Sequence, residues 1–347
     1  MTRLPAAALT EFASTVLQAV GVPATDADVT ATRLVEADER GRTGHGLIRL
    51  PSYVTRIRAG GINVRPAVTV RHETPVSALI DGDNGLGQVV MTQATELAIS
   101  KAARSGLAWV GTRHSNHAGA AGLYPVMAAD AGYIAVYLAV ANANGMPPWG
   151  GTNPVLGTNP LAIAVPAQPH PFLLDIATTA ASHGTIKVAA QQGVAMPEGW
   201  VVDTDGRPIT DPARAHEGYL VPMGGYKGSG LTIAIGLLAG VLNGAAFGAS
   251  VVDHRHDQVT PTNTGQAILV LRPDLFGPRE QILAGFTEHV AALRDSGGPV
   301  HLPGDGAAAS LAEARRRGVP VPAPLARDLA AVASAVGVPF PLASEAS

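Results

Sequence analysis

Apolar positions recur every three or four residues over Ala6–Val20, the period of a helix with one buried face, and the run stops at Gly21-Val22-Pro23. Thr25 is placed as the N-cap of a second helix over Asp26–Glu39, whose Asp26 and Asp28 suit the positive end of the helix dipole. A third helix is expected over Leu47–Arg58, closed by Gly60-Gly61, with Pro51 tolerated near its start. Two short strands, Ala67–Arg71 and Val76–Ile80, lead into the turn Asp81–Gly85. Helix and strand patterns then mix. Helices are expected over Gln88–Ala103, Ala120–Ala131, Thr185–Gln192 and Gln281–Ser296, and strands over Leu107–Gly111, Tyr133–Ala141, Leu161–Pro166, Phe172–Ala177 and Gln266–Leu271. The apolar run Gly228–Leu242 reads as one long helix packed on all sides. The tail carries helices Ala307–Arg317 and Pro324–Val336 around the Pro/Val-rich segment Gly318–Pro322. This order predicts an α/β (mixed α+β) protein. Its expected parts are 1–80, 81–250 and 251–347, the two terminal parts forming one domain into which the middle is inserted.

Composition narrows the picture. Charged residues are only 15% of the 347, against about a quarter in an average globular chain. Asp, Glu, Lys and Arg are absent from 131–174 and again from 228–252. A hydrophobic share of 46% nevertheless suits a buried core rather than disorder. Neither uncharged stretch is a membrane span: the first breaks at Asn142, Asn144, Pro147 and Pro148, and the second carries Ser229, Thr232, Asn243 and repeated glycines. A net charge of −3, with no basic stripe interleaved with aromatics, gives nucleic acid nothing to hold. The chain has no Cys, so disulfides, thiolate nucleophiles and cysteine-held metals are excluded. Met1–Gln18 lacks the continuous apolar run of a signal peptide. A cytoplasmic protein is the expectation.

Familiar catalytic signatures are missing. No G-x-G-x-x-G follows a strand, and neither a P-loop, a G-x-S-x-G elbow nor H-E-x-x-H occurs. The dense stretch Asp253-His254-Arg255-His256-Asp257 reads as a polar turn, and no metal site is expected. Five polar-glycine clusters remain. In Arg42–Arg49, His45 and Arg49 lie four apart and would share a helix face. A proton carrier beside a fixed cation suits a carboxylate substrate, although a capping His with a surface Arg explains the same residues. His114–Gly119 and Pro147–Pro160 follow strands and are either ordinary turns or places where a cofactor docks on backbone N–H groups. Asp175 ends the longer uncharged stretch; buried, it needs a partner such as a His, or it caps the next helix. Lys227, in Pro222–Gly230, stands before the apolar run, as an anion site or a solvated loop lysine.

Taken in order, His45-Gly46-x-x-Arg49, Ser115-Asn116-His117, Leu156-Gly157-Thr158-Asn159-Pro160, Asp175-Ile176-Ala177-Thr178, Gly224-Gly225-Tyr226-Lys227-Gly228 and Leu302-Pro303-Gly304-Asp305 resemble the type-2 malate/L-lactate dehydrogenase family (L-sulfolactate dehydrogenase-like) across nearly the whole chain. The resemblance implies a non-Rossmann fold whose mixed-sheet domain, here 81–250, binds NAD or NADP. NAD is taken ahead of NADP. It further implies a homodimer, built through the substrate and dimerisation domain of 1–80 and 251–347, and hydride transfer between nicotinamide and a small 2-oxo/2-hydroxy acid. By resemblance His45 is the acid/base and Asp175 its orienting partner. Arg49 anchors the substrate carboxylate, with Thr158 and Gly44 in the substrate pocket. His117, Gly119, Gly157, Asn159, Pro160, Thr178, His183 and Lys227 line the cofactor. Two positions depart from the family pattern: Gly44 stands where Ser is usual, removing a hydroxyl beside the catalytic His, and Asp305 where Glu is usual. Reduction of a cyclic imino acid, an inactive nucleotide-binding scaffold and, more remotely, a hydrolase using Ser115 are the competing readings.

Overall fold

A computed structural model describes residues 2–341. The elements in chain order are β1 (Thr2–Leu4), α1 (Ala6–Ala19), α2 (Ala24–Glu39), α3 (Leu50–Arg58), β2 (Thr69–Thr74), β3 (Ser77–Asp81), α4 (Gly87–Ser105), β4 (Leu107–Ser115), α5 (Leu123–Asp130), β5 (Ile134–Ala139), β6 (Leu161–Val165), β7 (Phe172–Ile176) and α6 (His183–Gln192). There follow β8 (Val201–Val202), β9 (Tyr219–Leu220), α7 (Tyr226–Ile235), β10 (Thr264–Leu271), α8 (Arg279–Arg294), α9 (Asp305–Arg317), β11 (Val319–Val321) and α10 (Ala323–Val336).

The apolar stripe of α1 is the one its spacing demands: Leu9, Phe12, Ala13, Val16 and Leu17 are buried. They meet Ala27, Ala31, Leu34 and Val35 of α2, Tyr53 and Val54 of α3, and Leu329 and Ala333 of α10 in a single cluster. β1 pairs antiparallel with β11, clasping the two ends of the chain over that cluster. β1 and β11, like the two-residue β8 and β9, are too short for periodicity to reveal. α2 starts at Ala24 with Pro23 as its flanking residue, so Thr25 is not the cap; proline lacks an N–H, and that position has no helical use for one. Ahead of α3 the chain winds through two 3₁₀ turns, Thr43–His45 and Leu47–Arg49.

Seven strands form the main sheet in the order β2-β3-β4-β10-β5-β6-β7. Only β3 and β4 run parallel, so the sheet is mixed. The strand late in the sequence lies in the middle: Leu269 of β10 faces Trp109 of β4 on one side and Val136 of β5 on the other. Alternation divides β5. Ala135, Tyr137 and Ala139 pack under α4 and α5, while Val136 and Leu138 meet the other face, beneath Ile235 and Ala239. The boundaries expected at 80 and 250 therefore cut through the sheet, which takes in β2, β3 and β10. Strand pairing is non-local, and nothing near Thr69 or Thr264 announces the partner.

The expected helix over Gly228–Leu242 is interrupted. α7 gives way to a π turn, Gly236–Gly240, and a 3₁₀ turn, Val241–Asn243. The Phe247 ring lies so close that a Cβ on Gly236 would stand 2.0 Å from it. Nor is the segment packed on all sides: Leu237, Leu238, Val241 and Leu242 are 49%, 43%, 56% and 64% exposed, a stripe at helical spacing that the described residues leave uncovered. Among the described residues no helix is long and apolar enough to cross a membrane.

Candidate active site

A cavity of about 690 Å³ opens where the Arg42–Arg49 loop faces the ends of β5 and β7 and the start of α6. The loop is fastened from behind. Asp38, near the end of α2, is buried and accepts the Leu47 N–H at 2.8 Å. A Cβ on Gly46 would collide with this carboxylate at 2.1 Å, so only glycine passes. Burial pushes the Asp38 carboxyl up to about 7, against the lowering effect of the Leu47 N–H.

His45 and Arg49 both line the cavity. Arg49 Nε donates to Gly44 O at 2.7 Å, and among the described residues no carboxylate forms an ion pair with its guanidinium. Burial is the main cause that lowers its pKa. His45 is held down to about 3, first by burial and then by the positive charges of Arg49 and Arg42. Its ring lies nearly parallel to that of His117, the centroids 5.4 Å apart and the edges facing, with His45 Nδ1 3.3 Å from His117 Nε2. His117 is pushed well below its ordinary value by burial and by the charge of Arg49. Tyr53 Oη lies 2.7 Å from His117 Nδ1, and Gln88 Nε2 donates to Tyr53 Oη at 2.8 Å.

Asp175 lines the same cavity but does not hold His45. Its carboxylate pairs with Arg42, Nε to Oδ2 at 3.3 Å. Arg42, three residues before His45, reaches the end of β7 and supplies the partner that a buried carboxylate requires. Burial still raises the Asp175 pKa, with Arg42 opposing.

Gly44, Gly119, Thr158, Pro160 and His183 also line the cavity. Gly157, Asn159, Thr178 and Lys227 do not. Gly157 is a close-approach glycine, since a Cβ there would sit 2.7 Å from Ala141 Cβ and 2.8 Å from Ala143 O. Asn159 is fully buried; it accepts Ala141 N–H at 3.0 Å and donates to Thr232 O at 2.9 Å, bracing β5 against α7. Thr178 Oγ1 donates to Thr158 O at 3.0 Å and accepts from Thr232 Oγ1 at 2.7 Å. Lys227 is exposed on the first turn of α7. Ser115 is buried in β4 and donates only to Asn116 O, which leaves a hydrolase without its nucleophile.

Four residues enter the site without having been singled out for it. Asp253–Asp257 is indeed a turn, with Arg255 paired to Asp253, yet His254 and Arg255 line the cavity, and the His254 ring lies 5.7 Å from that of His117. Tyr53 and Gln88 sit inside α3 and α4. The one sequence signal for either is that Tyr53 follows Arg49 by a helical turn. Among the described residues no group of His, Asp and Glu is arranged to hold a metal.

The family model of malate/L-lactate dehydrogenase matches residues 4–330. L-sulfolactate dehydrogenase of Methanocaldococcus jannaschii is 39% identical over 294 residues, 84% of this chain and 85% of that protein. The solved sulfolactate dehydrogenase structure from the same organism superimposes with a TM-score of 0.89 at 35% identity, covering 97% of this chain and 98% of the other. (2R)-3-sulfolactate dehydrogenase (NADP(+)) of Chromohalobacter salexigens is 35% identical over 80% of this chain and 81% of its own length. Ureidoglycolate dehydrogenase (NAD(+)) of Escherichia coli K12 is 36% identical over 75% and 74%.

Proposed function

The chain belongs to the malate/L-lactate dehydrogenase family, and from that premise we propose that it is an NAD(P)-dependent dehydrogenase interconverting a small 2-oxo acid and its 2-hydroxy acid. The observation that carries the reading is Arg49, a partly buried guanidinium that pairs with no carboxylate among the described residues and stands beside a neutral histidine. Such a cation calls for an anion from outside, and a planar carboxylate fits its fork of donors.

The cavity suits a nicotinamide. Its wall along Ala139–Ala143 and Ala177–Ala181 bears no charge, and His183 Nε2 is a buried polar atom without a partner. Ala141, Pro160, Ala180 and His183 are the residues that would hold the ring, which when bound supplies or accepts the hydride. Arg49 binds the substrate carboxylate and aligns C2. His45 moves a proton at the substrate oxygen through Nε2. Neutral across the physiological range, it is ready to take the hydroxyl proton in oxidation. In reduction it must first be protonated, and a carboxylate bound on Arg49 offsets one of the charges that oppose this. Arg42 and Asp175 close the loop over the site.

Rates in both directions, with pyruvate, oxaloacetate, 3-sulfopyruvate and piperideine-2-carboxylate as acceptors, test this reading. Below pH 7 the oxidation kcat/KM should show no loss centred near 6.5, since His45 loses its base form only near 3. The reduction kcat/KM should fall about tenfold per pH unit through neutrality, as the protonated fraction does. An acid limb at 6.5 in oxidation would mean that the base titrates as an unshifted histidine and that burial does not set the charge of His45. Binding of NADH without turnover of any acceptor would favour the inactive scaffold.

NADH is taken ahead of NADPH. The run Arg315–Arg317, a conceivable 2′-phosphate site, lines a separate depression with Arg3, and Arg316 and Arg317 pair with Glu313. Gly44 leaves room for the hydroxyl it lacks: a Cβ would lie 3.5 Å from Gly184 Cα, an ordinary contact. The stripe of Leu237, Leu238, Val241 and Leu242 supports a homodimer with this face covered by the second copy. Leu238→Glu combined with Leu242→Glu should shift the sedimenting species from dimer to monomer; a dimer unchanged by both substitutions places the interface elsewhere.

A further inference from the structure

Both catalytic states of His45 make one demand of its other nitrogen. To take a proton at Nε2 the ring must carry its hydrogen on Nδ1, and after taking it the hydrogen on Nδ1 is still there. Nδ1 therefore needs an acceptor throughout. Asp175 was the expected one, but it is engaged by Arg42. The atom that faces Nδ1 is His117 Nε2, at 3.3 Å.

We propose that His117, set by Tyr53 and Gln88, is the positioning residue that fixes the tautomer of His45. This rests on the acid/base reading of His45 given above. The four side chains form one line: Gln88 to Tyr53 Oη at 2.8 Å, Tyr53 Oη to His117 Nδ1 at 2.7 Å, and His117 Nε2 to His45 Nδ1 at 3.3 Å. A neutral imidazole has one N–H, so the line has two senses.

In one sense the Gln88 amide donates to Tyr53, Tyr53 donates to His117 Nδ1, and His117 Nε2–H donates to His45 Nδ1. His45 then carries its proton on Nε2 and is idle as a base. The Gly119 N–H, 3.3 Å from His117 Nδ1, favours this sense. In the other sense Tyr53 donates to the Gln88 carbonyl, His117 Nδ1–H donates to Tyr53, and His117 Nε2 accepts from His45 Nδ1–H. His45 is then competent in both directions. Gln88 Oε1 is buried without a partner, and a half-turn of the amide toward Tyr53 supplies one. Burial keeps His117 neutral, so it cannot donate at both nitrogens, and the two ends of the line switch together.

Tyr53→Phe removes one hydroxyl and little volume. His117 Nδ1–H then has no acceptor, its proton moves to Nε2, and His45 is forced into the idle tautomer. Long-range ¹⁵N–¹H spectra of histidine-labelled protein, assigned with a His45 variant, read this without any turnover. The wild type should show both senses, with His45 protonated at Nδ1 in a measurable share of molecules, and Tyr53→Phe should leave the Nε2 form alone. Turnover should fall about ten- to hundredfold in Tyr53→Phe, with NADH affinity by fluorescence within twofold of wild type. His117→Leu should fall as far, and His117→Gln, whose carbonyl can accept from His45 Nδ1–H, should recover part of the loss. A wild type with no Nδ1-protonated His45, or the same spectrum and rate in Tyr53→Phe, overturns the proposal. A protein inert toward every acceptor overturns the dehydrogenase reading instead, and the spectra still decide the tautomer.

Discussion

His45→Ala should lower turnover about 10²- to 10⁴-fold, the range ascribed to a positioned acid/base, while NADH affinity stays within about twofold. The argument combines position and charge. His45 is on the cavity wall beside Arg49, and burial with two neighbouring cations keeps it neutral. Its loop is set by the Asp38 carboxylate from behind and by Arg42 on Asp175 in front. The substitution removes the ring without touching either fastening, so the fold and the uncharged wall are left standing. The measurements are steady-state rates with a 2-oxo acid and NADH fluorescence titration. A variant that retains near wild-type turnover removes His45 from the chemistry.

Arg49→Met should move activity and stability in opposite directions. The carboxylate loses its charged anchor, and kcat/KM for the 2-oxo acid should fall about 10²- to 10³-fold, mostly through KM, because a charge-assisted bidentate contact is among the stronger polar contacts. The apo protein, by contrast, carries in Arg49 a partly buried cation with one hydrogen bond, to Gly44 O, and no counter-ion among the described residues. Replacing it with an apolar side chain of similar length should stabilise the fold by about 0.5–2 kcal/mol. Denaturant unfolding of the apo proteins checks the sign. A variant both less stable and unchanged in KM would make Arg49 a structural residue.

Much of this was visible before any coordinates. The stripes of α1 and α2, the alternating strands and the mixed class follow from local periodicity, which needs only a dozen neighbouring residues to declare itself. That His45 and Arg49 line one cavity was legible from their spacing of four, although they lie on two successive 3₁₀ turns rather than on the one helix face expected. The failures lie where the decisive contact is remote. Asp175 was expected to hold His45, yet Arg42 is nearer to it, and no spacing rule chooses between the two. Asn159 and Thr178 belong to motifs that resemble a cofactor site, but their polar atoms bond to Ala141, Thr232 and Thr158. Tyr53, Gln88 and His254 reach the site from three separate segments, each unremarkable by itself. The apolar run after Lys227 looked buried because it lacks charge; its open stripe is a surface that one chain alone leaves uncovered.

The place of β10 at the centre of the sheet also has a consequence for how the protein is made. A ribosome finishes β5 at Ala139 and reaches β10 only at Thr264, an interval of roughly 6–25 s at ordinary elongation rates. Until then β4 and β5, which both pair with β10 in the finished protein, have no strand between them. The nascent chain therefore holds two half-sheets with bare inner edges, each a template for the wrong strand. The clasp of β1 with β11 comes later still, since β11 follows β10 in the chain. A chain stopped short of Thr264 would leave the facing edges of β4 and β5 unpaired.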